Sequence, residues 1–262
     1  MNDFAALLLS GGHGSRLLPY SKHWPKCLMP IAKRPLLEYW LRNLNLVHIN
    51  PIIVNLHYLS DIVERFLNQD QFKGWVQGVF EERLLGTAGS LTFNFNVLKN
   101  KTIFLAHADN WCKFDIKEFI NFHKYLRPKN CEITMMTFHT DTPLTCGILD
   151  IDENGIVKYM YEKVNENHGN IANGAVYIVE PSVLNWLHEN PHITDFSSEV
   201  IPNYYGKIAT WFNSGVHRDI GNIKSLQQVN LNERNKKNYF LSSDWQKEFL
   251  KNDIHEMIKK IE

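Results

Sequence analysis

The chain of 262 residues has no net formal charge, with 28 Lys and Arg against 28 Asp and Glu. Bulk electrostatics therefore gives no pull toward a nucleic-acid backbone or an anionic membrane. Long apolar runs are also missing. The longest, such as Phe4–Leu9, reach about six residues, far short of a bilayer span. The opening Met1-Asn2-Asp3-Phe4 has neither the basic region nor the apolar stretch of a secretory signal. Four cysteines (Cys27, Cys112, Cys131 and Cys146) are scattered without a short paired spacing. That argues against a disulfide frame or a cysteine zinc site and fits reduced thiols. No internal repeat, low-complexity tract or linker rich in Pro, Gly and Ser interrupts the chain. These absences predict a cytoplasmic protein with no nucleic-acid and no membrane partner.

At 44% hydrophobic residues, the chain can bury one large core. Strand-like runs (Phe4–Leu9, 51–55, 75–80, 102–106) alternate with helix-like ones (35–47, 59–67, and one opening at 86–90). The second half carries more β character at 132–138, 147–151, 156–161, 174–179 and 208–212, with helices expected at 181–188 and 197–205. This alternation predicts an α/β fold with a mixed, mostly parallel sheet flanked by helices. Residues 1–235 are expected to form the main domain. A helical tail over 236–262 is opened by the capping box Ser243-Asp-Trp-Gln246. Trp245, Phe249, Ile254, Met257 and Ile258 give that tail an apolar face, which would pack on the same domain or on a second copy of the chain in a homodimer.

The first strand ends in Leu9-Ser10-Gly11-Gly12-His13-Gly14-Ser15-Arg16, and Pro25-Lys26 follows ten residues later. Closely spaced glycines let the backbone turn sharply and offer its N–H groups to an anion. Arg16 adds a planar fork and Lys26 a point charge, both suited to phosphate oxygens. A Walker loop is excluded because Gly14 is not followed by Lys-Ser/Thr. A dinucleotide fingerprint is excluded because Leu17 stands where its third glycine belongs. Asp109 directly follows a buried strand, where α/β sheets bind ligands, and Asp219 stands before Ile220-Gly221. Two such carboxylates suit Mg²⁺ completed by phosphate oxygens, although either aspartate alone also reads as a cap or turn residue.

Gly-x-Gly-Ser-Arg-Leu followed by Pro25-Lys26, Cys27-Leu-Met-Pro-Ile31 and Arg34-Pro-Leu-Leu-Glu38 resembles the signature of the sugar-1-phosphate nucleotidyltransferases. The likeness extends to about residue 230 and implies the Rossmann-like nucleotide-diphospho-sugar transferase fold. It implies catalytic roles for Arg16 and Lys26 and Mg²⁺ on Asp109 and Asp219, although Ala108 replaces a usual glycine and His107 is atypical. Nucleotide contacts would come from Leu9, Ser10, Gly11, Gly12, Gly14 and Ser15. Glu81 and the segment Gly86-Thr87-Ala88 would read the base. Gly147, Glu162, Lys163, Asn173 and Glu199 would hold the sugar phosphate.

The implied reaction joins an NTP, GTP ahead of UTP, to a sugar-1-phosphate and releases pyrophosphate. Rival readings are a cytidylyltransferase acting on an amino-alcohol phosphate, a glycosyltransferase of similar fold, and a nucleotide-sugar sensor without turnover. The glycosyltransferase would not need the Gly-rich loop with Arg16 and Lys26. The sensor predicts a lost metal ligand or phosphate cation, and each is present.

Overall fold

A computed structural model describes residues 3–162, 166, 168–233 and 243–259. The chain divides into two compact units. The first draws on residues up to Leu7, Leu85–Ala106 and Lys113–His217; the second on Leu8–Leu84, His107–Cys112 and the residues from Arg218 onward.

In the first unit the central strand is Ile171–Val179, antiparallel to Thr102–His107 on one side and to Ile133–His139 on the other. Ile208–Phe212 adds a parallel strand to Ile133–His139. Gly147–Ile151 and Val157–Glu162 form an antiparallel pair in which Gly147 stands opposite Glu162. The central strand starts three residues earlier than the sequence pattern indicates. Its pairing with Ile133–His139 is interrupted between Asn173 and Tyr177, where Ala175 takes a φ of 51°. The Asn173 side chain accepts the Ala175 N–H at 2.9 Å and so supports the irregular step.

The helix expected over 197–205 is instead a π-helical turn, Phe196–Val200, followed by a 3₁₀ turn, Ile201–Tyr204. Pro202 lacks the N–H that a continuing helix would use. Helices Thr87–Phe93, Phe95–Leu98, Ile116–Asn121 and Pro181–Glu189 also belong to this unit, and Asp115 caps the third of them, accepting from the N–H groups of Lys117 and Glu118.

In the second unit Ile52–Leu56 runs parallel to Val76–Phe80. Phe4–Leu9, whose last two residues belong here, is buried at every position, as a strand covered on both faces requires. Helices Leu36–Leu46 and Ser60–Leu67 follow the expected pattern. Three elements were not signalled by the sequence: the short hairpin Pro30–Ile31 with Arg34–Pro35, the helix Ile223–Glu233, and the ribbon of Asn110–Lys113 with Val216–Asp219, of which Asn110–Cys112 and Arg218–Asp219 belong to this unit. Asn230 ties two of these together, accepting from Ala32 N–H and donating to the Pro30 carbonyl.

The tail has its capping box, with Ser243 and Gln246 bonded reciprocally, but it forms two helices, Asp244–Lys251 and Ile254–Lys259. Trp245 and Phe249 pack against Trp24, with ring centroids 6.5 and 5.7 Å away, and Trp245 also meets Phe66. Ser243 Oγ donates to Gln69 Oε1 at 2.6 Å. No helix among the described residues is long and apolar enough to cross a membrane.

Candidate active site

Four charged side chains converge within the second unit. Lys26 Nζ donates to Asp109 Oδ2 at 2.7 Å and to Asp219 Oδ1 at 2.8 Å, while Arg16 Nη2 donates to Asp219 Oδ2 at 2.9 Å. The Lys26 side chain is only 8% exposed, whereas that of Arg16 is 69% exposed. Burial works against the Lys26 ammonium, but the two carboxylates outweigh it and hold its pKa above the ordinary lysine value. Partial burial likewise works against the Asp219 carboxylate, and Lys26 and Arg16 outweigh that and hold its pKa low.

The backbone delivers these groups in identifiable ways. Asp109 is pinned on both sides: Ala108 N–H donates to the Leu9 carbonyl at 2.9 Å, and the Asn110 carbonyl accepts from Trp40 Nε1 at 3.0 Å. Ala108 fits where a glycine is usual because its φ is not left-handed. Asp219 ends the ribbon strand that pairs with the one starting directly after Asp109. Gly14 has a φ of 62° and lies against Lys26, and its carbonyl accepts from Ser21 Oγ at 2.7 Å. The turn thus fixes the stem of the lysine as well as the loop.

The start of the Gly-rich loop is held by Asn55, whose Oδ1 accepts from the N–H groups of Ser10 at 2.5 Å and Gly11 at 3.2 Å. Asn55 Nδ2 donates to Glu81 Oε1 at 3.3 Å. Glu81, expected at the base, is thus buried, with its carboxylate on the asparagine that holds the start of the Gly-rich loop. Gly12 and Ser15 are exposed on the same loop, and Leu9 is buried beneath it. Sequence reasoning missed Asn55. It also missed the stacking of His13, within the loop, against Tyr58 and His57, at 4.9 and 5.7 Å between ring centroids. Asparagine at the end of a buried strand was the available signal for the first; no signal marked the second.

The remaining predicted residues that the structure describes lie in the first unit. Gly86 has a φ of 81°, and a β-carbon there would strike the Thr194 carbonyl, which accepts from Ala88 and Gly89 N–H. Thr87 Oγ1 accepts from Phe196 N–H at 2.6 Å. Glu199, expected at the sugar, accepts through Oε2 from Thr194 N–H, Asp195 N–H and Thr194 Oγ1, so its carboxylate organises the turn under the Gly86 segment. Asp195 caps that turn, accepting from Ser198 N–H.

Glu162 and Gly147 face one another, and Asn173 Nδ2 donates to the Tyr177 hydroxyl at 2.7 Å. Lys163 lies outside the described residues.

Among the described residues, no group of three or more His, Cys, Asp and Glu forms a metal cage. Two carboxylates such as Asp109 and Asp219 would hold a hard divalent cation only if it kept water and took the rest of its oxygens from phosphate.

A mannose-1-phosphate guanylyltransferase catalytic subunit beta from Drosophila melanogaster is 32% identical over 205 residues, 77% of this chain and 54% of that protein. The chain therefore spans about half of that relative's length. A crystallised Bacillus anthracis protein assigned as a glucose-1-phosphate thymidylyltransferase has a TM-score of 0.78 at 22% identity, covering 90% of this chain and 98% of that one. HddC from Yersinia pseudotuberculosis, crystallised with GMP-PN, has a TM-score of 0.72 at 23% identity, covering 87% of this chain and 98% of its own. These two likenesses establish the fold. The family model described as nucleotidyl transferase matches residues 5–236, and this chain belongs to that family.

Proposed function

We propose that the protein is a sugar-1-phosphate nucleotidyltransferase that joins GTP to a sugar-1-phosphate and releases pyrophosphate. The observation that carries this reading is the convergence of Arg16, Lys26, Asp109 and Asp219 beside the Gly-rich loop, in a chain of the nucleotidyl transferase family. GTP is favoured because the Drosophila relative is a guanylyltransferase and HddC was crystallised with GMP-PN.

A phosphate oxygen of the sugar-1-phosphate attacks the α-phosphorus in line, and the bond to the bridging oxygen of pyrophosphate breaks. The nucleophile is already an anion at neutral pH, so no side chain has to take a proton from it. The protein's work is positioning and charge neutralisation. Lys26 steadies the α-phosphate, and Arg16, exposed and fork-shaped, follows the charge that grows on the leaving pyrophosphate. The N–H groups from Gly12 to Ser15, beyond the two that Asn55 engages, cradle the triphosphate. Mg²⁺ on Asp109 and Asp219 would, when bound, neutralise charge at the reacting phosphates. Gly86, Thr87 and Ala88 offer backbone groups to the base. Glu162, with Gly147, Asn173 and Lys163, receives the sugar phosphate.

The test is a matrix of four NTPs against a panel of sugar-1-phosphates, read as pyrophosphate release. GTP with a hexose- or heptose-1-phosphate should give the fastest release. No release with any pair would overturn the proposal.

A further inference from the structure

The charges in the Lys26 cluster already balance. Two carboxylates face two cations, and both oxygens of Asp219 accept from a charged donor, Oδ1 from Lys26 and Oδ2 from Arg16. A divalent ion entering alone would compete with the Lys26 ammonium for Asp109 Oδ2 and Asp219 Oδ1, the two oxygens on which that ammonium sits. It would also come to rest beside a lysine that solvent barely reaches, where like charges are poorly screened. The same ion carried on a triphosphate alters the sum. The phosphate oxygens bring more negative charge than the ion brings positive, and they are strong acceptors for the N–H groups of Lys26 and Arg16.

Geometry supports an ammonium held in that place rather than one that happens to lie there. The lysine stem is packed against Gly14, its turn follows Trp24-Pro25, and the Trp24 indole donates to the Leu28 carbonyl at 2.9 Å across that turn. We infer that Lys26 occupies the cation position between Asp109 and Asp219 in the nucleotide-free protein and keeps free divalent metal out, so that metal enters only together with a triphosphate. Lys26 is then both a phosphate ligand and the gate on the metal, and the order of loading is built into one side chain. This inference rests on the phosphate and metal assignments proposed above.

The experiment uses the full chain and Mn²⁺ as the probe, with free Mn²⁺ followed by electron paramagnetic resonance, no sugar phosphate and no turnover. Wild type should bind Mn²⁺ weakly, and a non-hydrolysable GTP analogue should strengthen binding. Lys26→Gln should bind Mn²⁺ alone at least about tenfold tighter, the scale on which one nearby charge alters ion affinity. Lys26→Arg should stay weak, and Arg16→Gln, a change on an exposed side chain that the fold tolerates, should shift affinity in the same direction as Lys26→Gln. Equal affinity in wild type, Lys26→Gln and Arg16→Gln, lost on Asp219→Asn, would overturn this inference and leave the metal assignment standing. Tight binding that survives Asp219→Asn in the Lys26→Gln background would put the ion elsewhere and overturn both.

Discussion

Gly221 lies so close to Arg16 that a β-carbon at this position would stand 2.7 Å from Nη2 of the guanidinium and 2.6 Å from Asp219 Oδ2. The glycine two residues after the aspartate is thus what lets the arginine reach the carboxylate. Gly221→Ala should push the fork off Asp219 and lower kcat/KM about 10- to 100-fold, the cost of misplacing a reacting group by about an ångström. The melting temperature should move little, because the affected pair is exposed. Steady-state kinetics beside a thermal melt checks both, and unchanged kinetics would separate the Arg16–Asp219 contact from turnover.

Arg16→Lys keeps a positive charge and loses the planar fork. With Arg16 on the leaving pyrophosphate, kcat should fall about a hundredfold or more, the scale of one lost transition-state donor. A change confined to KM for the sugar phosphate would place Arg16 on the other substrate.

The tail's aromatic contacts predict a stability effect. Phe249 is buried between Trp24, Trp245 and His255. Phe249→Ala should cost about 3–5 kcal/mol, as deletion of a buried ring does, read from urea denaturation. Indole fluorescence should change with it, since two of the three neighbouring rings are tryptophans.

A pH dependence follows from a buried cluster in the first unit. His123 Nε2 donates to Glu180 Oε1 at 3.1 Å, its Nδ1 accepts from Thr134 Oγ1 at 2.8 Å, and Arg127 also bonds Glu180. Burial is the main influence on His123 and lowers its pKa, with Arg127 and Lys124 acting in the same direction against Glu180. A histidine lowered in this way binds its proton more readily in the unfolded chain. Its contribution to stability is full above the ordinary value of about 6.5 and shrinks as pH falls through it. Glu180 is lowered chiefly by its hydrogen bond from His123, so its contribution is present above the ordinary carboxylate range and is lost below it. His255, also lowered by burial, adds to the histidine effect. Urea midpoints should therefore drop between pH 7.5 and 5.5, and His123→Gln should flatten that drop.

Much of this arrangement was legible in the chain, and the exceptions share a cause. The loop from Ser10 to Arg16, the strand before Asp109 and the capping box at Ser243 are local patterns, each complete within a few residues. The ribbon that carries Asp219 is short, and Val216-His-Arg-Asp219 has no apolar alternation to mark it; it exists because a partner strand 106 residues earlier begins at Asn110. Glu81 and Glu199 show the converse. Motif position drew attention to their charge, and the charge is spent on Asn55 and on backbone N–H groups near Thr194. A sequence displays a carboxylate but not its hydrogen-bond partner. That partner decides whether the group can also meet a ligand.

The proposed sugar-phosphate subsite gives the last prediction. Gly147 stands opposite Glu162 across the strand pair, and a β-carbon at Gly147 would lie 2.8 Å from Glu162 Oε2 and 3.0 Å from Met160 Sδ. Gly147→Ala must therefore displace the Glu162 carboxylate, because the backbone on either side is held by the strand ladder. With Glu162 accepting sugar hydroxyls, the loss of one charged hydrogen bond is worth about 1.5–3 kcal/mol, or an increase of about 10- to 150-fold in KM for the sugar phosphate. KM for GTP should change by less than about twofold, since the substitution leaves the phosphate loop and the Gly86 segment intact. Glu162→Gln, which keeps the shape and removes the charge, should reproduce the sugar-phosphate effect without the steric push. Initial rates with each substrate varied in turn would decide the matter, and an equal rise in both KM values would detach Glu162 from the sugar phosphate.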